Sequence, residues 1–246
     1  AVILLVSMFV SYLLLQGIKG PIEQLTAATE QFRQGKMDTR CGYVSANEFG
    51  TLSASFDAMA DTIETETRLN EQAAQLAGVM LRETEAHAFF QALLRALVEH
   101  TGSQIGAVYL LNTQKTEFEH VESVGLGAGG RASFSAVAPE GEFGLALATG
   151  QIQRITDIPE DTRFTFATVG GEFKPREIVT IPVLAEHTAI AVVSLASIRG
   201  YDAGAIRLVK DVLIALTART SSVLAHQQVQ QLAERLDHQN RELTGQ

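Results

Sequence analysis

Two stretches between residues 21 and 63 place a mostly apolar residue at every third or fourth position, which is the spacing of a narrow seam along a helix. Isolated helices shorter than about 12–15 residues are marginal in water. We therefore expect two copies of the chain to pair, with each copy giving two helices to one bundle. The seam positions are Ile22, Leu25, Thr29 and Phe32 in the first stretch and Leu52, Phe56, Met59 and Ile63 in the second.

The segment between these helices, residues 35–47, is long enough to run back along the bundle. The two helices are therefore expected to be parallel rather than to form a tight antiparallel hairpin. Asn47 is a good helix N-cap. Glu48 follows it, where a negative charge interacts favourably with the positive end of the helix dipole. The second helix is predicted to begin at this point.

The first eighteen residues carry no charge and are rich in Leu, Ile, Val and Phe. A helix of this length reaches about 27 Å, which is close to the thickness of the apolar core of a bilayer. The abrupt end of the apolar run at Lys19 favours a membrane span over a buried core helix. Positively charged residues are enriched on the cytoplasmic side of a span, and several follow Lys19. Residues 1–18 are predicted to be a transmembrane helix, with residues 19–246 in the cytoplasm.

The helical pattern continues beyond Ile63, but the six-residue step to Leu69 breaks the heptad register. Such a break is either a place where helices change their twist or a region of loose packing, and the sequence leaves both open. Residues 67–84 are predicted to be a linker helix. A broader apolar stripe over residues 89–98 is typical of a helix that packs on a globular core.

From Ser103 onward the apolar pattern becomes that of strands. Residues 159–175 show no regular pattern and are predicted to be irregular. A long helix is predicted from Ala203 to about residue 243. Strands that are mostly hairpin-linked, with helices at both ends, predict an α+β sandwich with an antiparallel sheet. The predicted strands are residues 105–111, 117–124, 132–137, 152–158, 178–184 and 188–196, with a short helix at 143–148 closed by Gly150.

The end of the last helix, residues 227–246, places Gln, Glu and Arg between apolar residues. Val229, Leu232 and Leu236 make one three-four step, and Leu243 lies one heptad beyond Leu236. This pattern predicts a C-terminal coiled-coil helix that leads to a downstream domain. The chain is therefore expected to be multidomain.

Three motifs in the first helix pair resemble those of a HAMP domain, the signal-relay module of bacterial membrane receptors. They are Pro21-Ile-Glu-Gln-Leu25, Gly35-Lys-Met-Asp38 and Asn47-Glu48-Phe49-Gly50, the last being similar to the family's Asp-Glu-x-Gly signature with Asn in the first place. The resemblance implies a parallel, dimeric HAMP-like bundle over residues 19–66; a generic amphipathic helix pair is the alternative. The relay residues that it implies are Pro21, Ile22, Leu25, Phe32, Glu48, Leu52, Phe56 and Met59.

Three further stretches resemble a GAF domain. Residues 144–157 are similar to the family's short helix, Gly and strand ending in Asp. Residues 176–182 are similar to its penultimate strand with a Pro, and residues 190–196 to its last strand. The resemblance implies a GAF-like sensor domain over residues 85–226. It does not indicate which ligand such a domain would bind.

Composition and motifs exclude several classes of chemistry. The net charge is −9 and no basic stripe occurs, which argues against a nucleic-acid partner. The six histidines show no metal-ligand spacing, and neither a nucleophile elbow nor a phosphate-binding Walker loop is present. The glycines at 125, 127 and 130 have the spacing of a dinucleotide fingerprint but not its context, because a strand is predicted after them where that motif needs a helix. No catalytic residue and no metal site is assigned.

The predicted sensor domain contains no cysteine, which argues against a thioether-linked bilin and a Cys-bound iron–sulfur cluster. The single cysteine of the chain, Cys41, suits a reducing compartment. No cofactor is evident. Arginine beside aromatic side chains could hold an anionic or planar ligand; the alternative is that the aromatic rings pack a loop. The candidate pocket residues are Phe134, Arg154, Arg163, Phe164 and Phe166.

Together these modules resemble the input half of a bacterial inner-membrane sensor, most often a histidine kinase or hybrid kinase. The resemblance implies a homodimer that relays a signal by helix repacking to an output domain further along a longer chain. His238 is followed by Gln239-Asn240-Arg241 and does not match the phosphorylated His motif of kinases. Two alternatives remain open: an output that is a diguanylate cyclase or a phosphatase, and a chemoreceptor-like scaffold without enzymatic output.

Overall fold

A computed structural model describes residues 2–126, 130–158, 166–168, 171–186 and 188–244. The chain divides into two compact units, Ala1–Glu71 and Gln72–Gln246. In the described ranges, the helices are α1 (Val2–Arg33), α2 (Glu48–Arg82), α3 (Ala86–Thr101), α4 (Gly141–Thr149) and α5 (Ala203–Thr244). The strands are β1 (Ile105–Leu111), β2 (Glu117–Val124), β3 (Ser133–Ser135), β4 (Gln153–Ile155), β5 (Phe166–Thr168), β6 (Gly171–Phe173), β7 (Glu177–Ala185) and β8 (Thr188–Ser197).

α1 is one helix from Val2 to Arg33, with Pro21 inside it. Proline has no backbone N–H, so the carbonyl of Gly17 lacks its helical donor there. Most side chains of the predicted transmembrane segment, residues 1–18, lie outside the described set. Among the helices as described, none has the length and apolar character that a membrane crossing requires.

The connector, which we define as residues 34–47, runs along α2 in the opposite direction to it. The Arg40 guanidinium bonds to Asp61, and the backbone N–H of Tyr43 bonds to Ser53. The partner number falls along α2 as the connector number rises, so the connector returns from the later part of α2 to its start. α1 therefore ends beside the later part of α2. The two helices run in the same direction, as the length of the connector predicts.

The second unit is built on a six-stranded antiparallel sheet with the order β3-β2-β1-β8-β7-β4. Side chains alternate between the two faces of a strand. Gly106 of β1 faces α3, because a side-chain carbon at this position would come within 3.0 Å of Leu94 and Val98. Tyr109 lies on the other face, in a core of aromatic rings. The sheet therefore separates α3 from the aromatic core, an α+β arrangement that agrees with the prediction.

Most predicted strands are confirmed, and one prediction is wrong. Residues 159–175 were expected to be irregular, yet β5 and β6 pair within this segment as a short antiparallel hairpin. Each strand has only three residues, which is too short for a period of two to be recognised. The predicted strands at 132–137 and 152–158 shorten to β3 and β4 at the two edges of the sheet. α4 ends at Gly150, whose left-handed φ of 64° is the predicted closure.

Candidate functional site

Inside the first unit, α1 and α2 each bury small residues, and one pair of aromatic rings joins the two helices. Ala28 and Ala60 are buried, with Ala60 completely inaccessible, and Ser53 is also buried. The Phe32 and Phe56 rings meet edge to face, with their centroids 6.0 Å apart. The two alanines were not among the predicted relay residues. A search for small residues on the faces of both helices could have found them.

Most of the other large seam side chains remain open to solvent within the described chain. Ile22, Leu52 and Met59 are each about half exposed, at 47%, 50% and 48%. Ile63 is 36% exposed. Leu25 is half-buried. Apolar side chains at helical spacing along one stripe, still exposed, leave a surface for a further apolar contact.

Contacts at the start of α2 explain why Asn47 and Gly50 occur in the predicted signature motif. The Oδ1 atom of Asn47 accepts the backbone N–H of Gly50 at 3.1 Å, so Asn47 caps the helix. A side chain at position 50 would collide with the carbonyl group of Ser45, which requires glycine there. Glu48 is exposed in the first turn. Pro21, the first residue of the motif predicted in the first helix, lies within α1 and is buried.

A stripe of acidic residues on α2 holds the connector. The Asp57 carboxylate accepts the backbone N–H groups of Cys41 at 2.6 Å and Gly42 at 3.1 Å. Arg40 bonds to Asp61 and Glu64, and these two carboxylates raise the pKa of its guanidinium, with Glu64 the larger cause. This role was not predicted. Acidic residues at 57, 61 and 64 share one helix face, and that spacing is the signal in the sequence.

In the second unit, aromatic rings fill the face of the sheet opposite α3. The Phe134 ring stacks on Phe143 with a centroid distance of 4.3 Å and on Phe118 at 5.1 Å. Tyr109 meets Phe134 edge to face at 5.2 Å. Its hydroxyl donates to the carbonyl of Arg131 at 3.1 Å, and burial raises the pKa of the Tyr109 hydroxyl. Phe134 is thus part of a packed core.

A separate cleft of about 470 Å³ lies where β4, the start of β7 and the turn before α5 meet. In it, the guanidinium of Arg154 pairs with the carboxylate of Glu177, which is only 3% exposed. The hydrogen bond to Glu177 raises the pKa of Arg154. We call this cleft the arginine cleft. Its lining residues are Arg154, Thr156, Arg176, Glu177, Arg199, Gly200, Tyr201 and Asp202.

Tyr201 ties the arginine cleft to the end of α3. Its backbone N–H donates to Oε2 of Glu177 at 2.9 Å. Its hydroxyl lies 2.8 Å from the Ser103 hydroxyl, which in turn lies 2.6 Å from that of Thr101. Burial raises the pKa of the Tyr201 hydroxyl. A buried chain of polar groups therefore fixes the turn from which α5 begins.

The predicted ligand-pocket residues fall in different places. Phe134 is in β3 and Arg154 in β4, at opposite edges of the sheet with four strands between them. The structure does not bring these two side chains into one pocket. Arg163 and Phe164 lie outside the described residues. Phe166 begins β5, and its side chain is also outside the described set.

Arg219 of α5 contacts the end of α2. Its Nε donates to the carbonyl of Met80 at 2.7 Å, and its Nη2 donates to the carbonyl of Glu83 at 2.8 Å. The last carbonyl groups of a helix have no partners within the helix, and a cation is favourable at this end of the dipole. Arg219 therefore caps α2 from α5, the long C-terminal helix that we call the exit helix. Nothing in the local sequence predicted this contact.

Comparison with known families matches both predicted modules. The model of the GAF domain matches residues 85–219. The model of the HAMP domain matches residues 13–65. A search of curated proteins found no significant match.

Solved structures share the fold of the second unit. The GAF domain of a phosphoenolpyruvate-protein phosphotransferase from Coxiella burnetii aligns with a TM-score of 0.54 and 13% identity, over 64% of this chain and 95% of that one. The corresponding Acinetobacter domain gives 0.51 and 17%, over 65% and 93%. A free methionine-R-sulfoxide reductase from Neisseria meningitidis, in complex with its substrate, gives 0.52 and 18%, over 64% and 91%. At these identities the likeness concerns the fold alone.

Proposed function

We propose a signalling function for this chain, which belongs to the GAF domain family and has a HAMP domain before its GAF domain. These domains indicate a signalling input region. The specific proposal is that the chain senses and relays a signal in a membrane-bound sensor protein. It acts as a homodimer, through a change in how its helices pack.

The observation that carries the proposal is the exposed seam of the first unit. Ile22, Leu52 and Met59 are each about half exposed, although their spacing is that of a helix–helix contact. Burying apolar surface stabilises by about 25 cal/mol per Å². A second copy of α1 and α2 would cover these side chains with an identical stripe. The relay residues would then lie at the centre of a bundle with two packing arrangements that differ by a few kcal/mol.

The route through the second unit is proposed from the contacts of α2. This helix begins at Glu48, within the HAMP match, and ends at Arg82. Arg219 bonds to the carbonyls of Met80 and Glu83 at this end. A shift of the end of α2 would thus act directly on α5. α5 continues to Thr244, and its Leu232 and Leu236 are exposed. Exposed leucines at this spacing are available for coiled-coil contact with a second helix.

The membrane anchor and the output are proposed from the sequence. The uncharged residues 1–18 are followed by Lys19, Arg33, Lys36 and Arg40, which supports anchoring in a bacterial inner membrane with the remainder in the cytoplasm. Residues 239–243 resemble the linker helices that precede the catalytic core of many hybrid kinases. A histidine kinase is therefore the proposed output.

The relay role is tested with the chain fused to the catalytic region of a reporter histidine kinase. Pro21→Ala removes the buried proline of α1, and Glu48→Ala removes the acid from the first turn of α2. Both changes should alter the autophosphorylation rate by severalfold while dimerisation is retained, because they change the proline site within α1 and the first turn of α2 rather than the seam. Gln24→Ala and Glu71→Ala, both at exposed helical positions, are the matched controls.

The proposed relay is contradicted if Pro21→Ala and Glu48→Ala both give the wild-type rate. A loss of dimerisation in either variant would show that its residue supports assembly rather than relay. Dimer content is measured in the same samples by analytical ultracentrifugation in detergent. The two controls should keep the wild-type rate.

A further inference from the structure

The arginine cleft holds more guanidinium groups than its carboxylates engage. Arg154 is paired with Glu177. Asp202 accepts the backbone N–H of Ala205 at 2.7 Å and so caps α5. Arg176 and Arg199 also line the cleft, and in the described ranges neither guanidinium has an ion pair or a side-chain hydrogen bond. One positive charge remains in excess, although the whole chain carries −9.

The backbone brings Arg176 and Arg199 to the same spot. Both are anchored on Ser197: the N–H of Arg176 donates to its carbonyl at 2.8 Å, and the N–H of Arg199 donates to its hydroxyl at 3.2 Å. Gly200 then turns the chain with a φ of +87°. The Arg176 Cδ lies 3.9 Å from the position that a side-chain carbon on Gly200 would take. The stem of Arg176 therefore passes over this turn, next to Arg199.

The chemistry of the cleft fits an oxyanion. A guanidinium presents parallel N–H donors that match two oxygens of a phosphate. Arg154 is already engaged, because its Nε and Nη2 donate to Glu177 and its Nη2 also donates to the carbonyl of Tyr201. α5 begins at Ala203, at the edge of the cleft, and the start of a helix adds partial positive charge. A volume of about 470 Å³ gives room for a phosphate group with a small substituent.

We propose that the arginine cleft binds the phosphate group of a small molecule, held between Arg176 and Arg199. This site is distinct from the aromatic core on the sheet, where Phe134 is packed. It does not depend on the proposed relay, because it rests only on groups within the second unit. A bound phosphate would bridge the start of β7 and the turn before α5, and so would stiffen the turn from which the exit helix begins.

The test is isothermal titration calorimetry of inorganic phosphate into the purified 246-residue chain, with chloride as the anion control. Saturable binding at one site per chain is expected. Arg176→Gln and Arg199→Gln should each weaken it about tenfold, the loss of one charge-assisted contact. The double variant should show no measurable binding. Arg95→Gln, at an exposed position on α3, makes the same charge change away from the cleft and should bind within about twofold of wild type.

Lack of saturable phosphate binding by the wild-type chain would overturn the proposal. So would an equal loss in Arg95→Gln, which would indicate attraction by net charge rather than a site. Circular dichroism shows whether each variant is folded. If a Gln variant is not, Arg176→Lys and Arg199→Lys keep the charge but lose the paired donors, and they should still weaken binding.

Discussion

The carboxylate of Glu85 caps the start of α3, where it accepts the backbone N–H groups of His87 at 3.0 Å and Ala88 at 2.7 Å. These two hydrogen bonds, that of Ala88 first, hold the pKa of the Glu85 carboxyl below its ordinary value of 4.5. A single side chain thus caps the first helix of the GAF domain. The same chemistry, from Asn47 to Gly50, sets the start of α2.

The Glu85 cap predicts a pH dependence of stability. The folded pKa lies below the unfolded one, so the stabilisation is present above pH about 4.5 and is lost as the pH falls through the folded pKa. Glu85→Gln should therefore flatten the rise of unfolding free energy with pH at and below about pH 4.5, the ordinary pKa of a Glu carboxyl. Urea unfolding of the full chain, followed by circular dichroism, measures this.

Glu99→Gln is the matched control, because Glu99 is exposed in the last turn of the same helix. It should keep the wild-type pH slope more closely than Glu85→Gln does. Identical slopes for wild type and Glu85→Gln would show that the cap does not contribute to the stability of the folded domain.

Local chemistry was predictable from the sequence at this scale, and distant pairing was not. Asn47 and its partner Gly50 are three residues apart, so the local sequence alone suggests this helix cap. Arg154 and Glu177 are 23 residues apart, and they meet only through the register of β4 on β7. That register is set by hydrogen bonds across strands, which leave no mark in either segment alone.

At the scale of the elements, Arg219 connects α5 to the end of α2. Arg219 is half-buried and supplies two charge-assisted hydrogen bonds to the carbonyls of Met80 and Glu83. Leu76 and Met80 on α2 and Leu216 and Val223 on α5 are buried in the same unit. The end of α2 therefore combines buried apolar side chains with a directional polar contact from α5.

Arg219→Ala should loosen the last turns of α2. Loss of the two bonds is expected to cost about 2 kcal/mol, which corresponds to roughly 30-fold faster amide exchange in residues 76–82. Hydrogen-exchange mass spectrometry of the full chain measures it. Arg95→Ala, at an exposed position on α3, should leave exchange in this segment unchanged. Wild-type exchange rates in Arg219→Ala would mean that the contact does not hold the helix end.

Long elements were predictable because their periodicity is long enough to recognise. β1 and β2 have the predicted bounds, and β7 and β8 differ by a residue or less at each end. The hairpin of β5 and β6 was missed because three-residue strands carry too little pattern. The candidate pocket combined Phe134 with Arg154 because the sequence does not give the order of strands, which separates them across the sheet.

At the scale of the whole molecule, the order of modules follows from the sequence: a HAMP domain, then a GAF domain, then a long exit helix. How copies of the chain assemble does not follow from the sequence. A seam that faces a neighbouring helix within one chain has the same spacing as a seam that faces a second chain. The structure separates these cases within the first unit. Phe56 is 9% exposed, whereas Leu52 and Met59, on the same helix, remain about half exposed.

Disulfide cross-linking in bacterial membranes tests the proposed pairing most directly. In a Cys41→Ser background, Leu52→Cys and Met59→Cys place thiols on the exposed seam, and mild oxidation should give covalent dimers at both positions. Ala54→Cys is the control, since Ala54 is exposed and lies on the opposite side of α2 from Phe56. A paired seam should give strong dimer bands at positions 52 and 59 and little cross-linking for Ala54→Cys. Equal cross-linking at all three positions, or none at the seam, would contradict it.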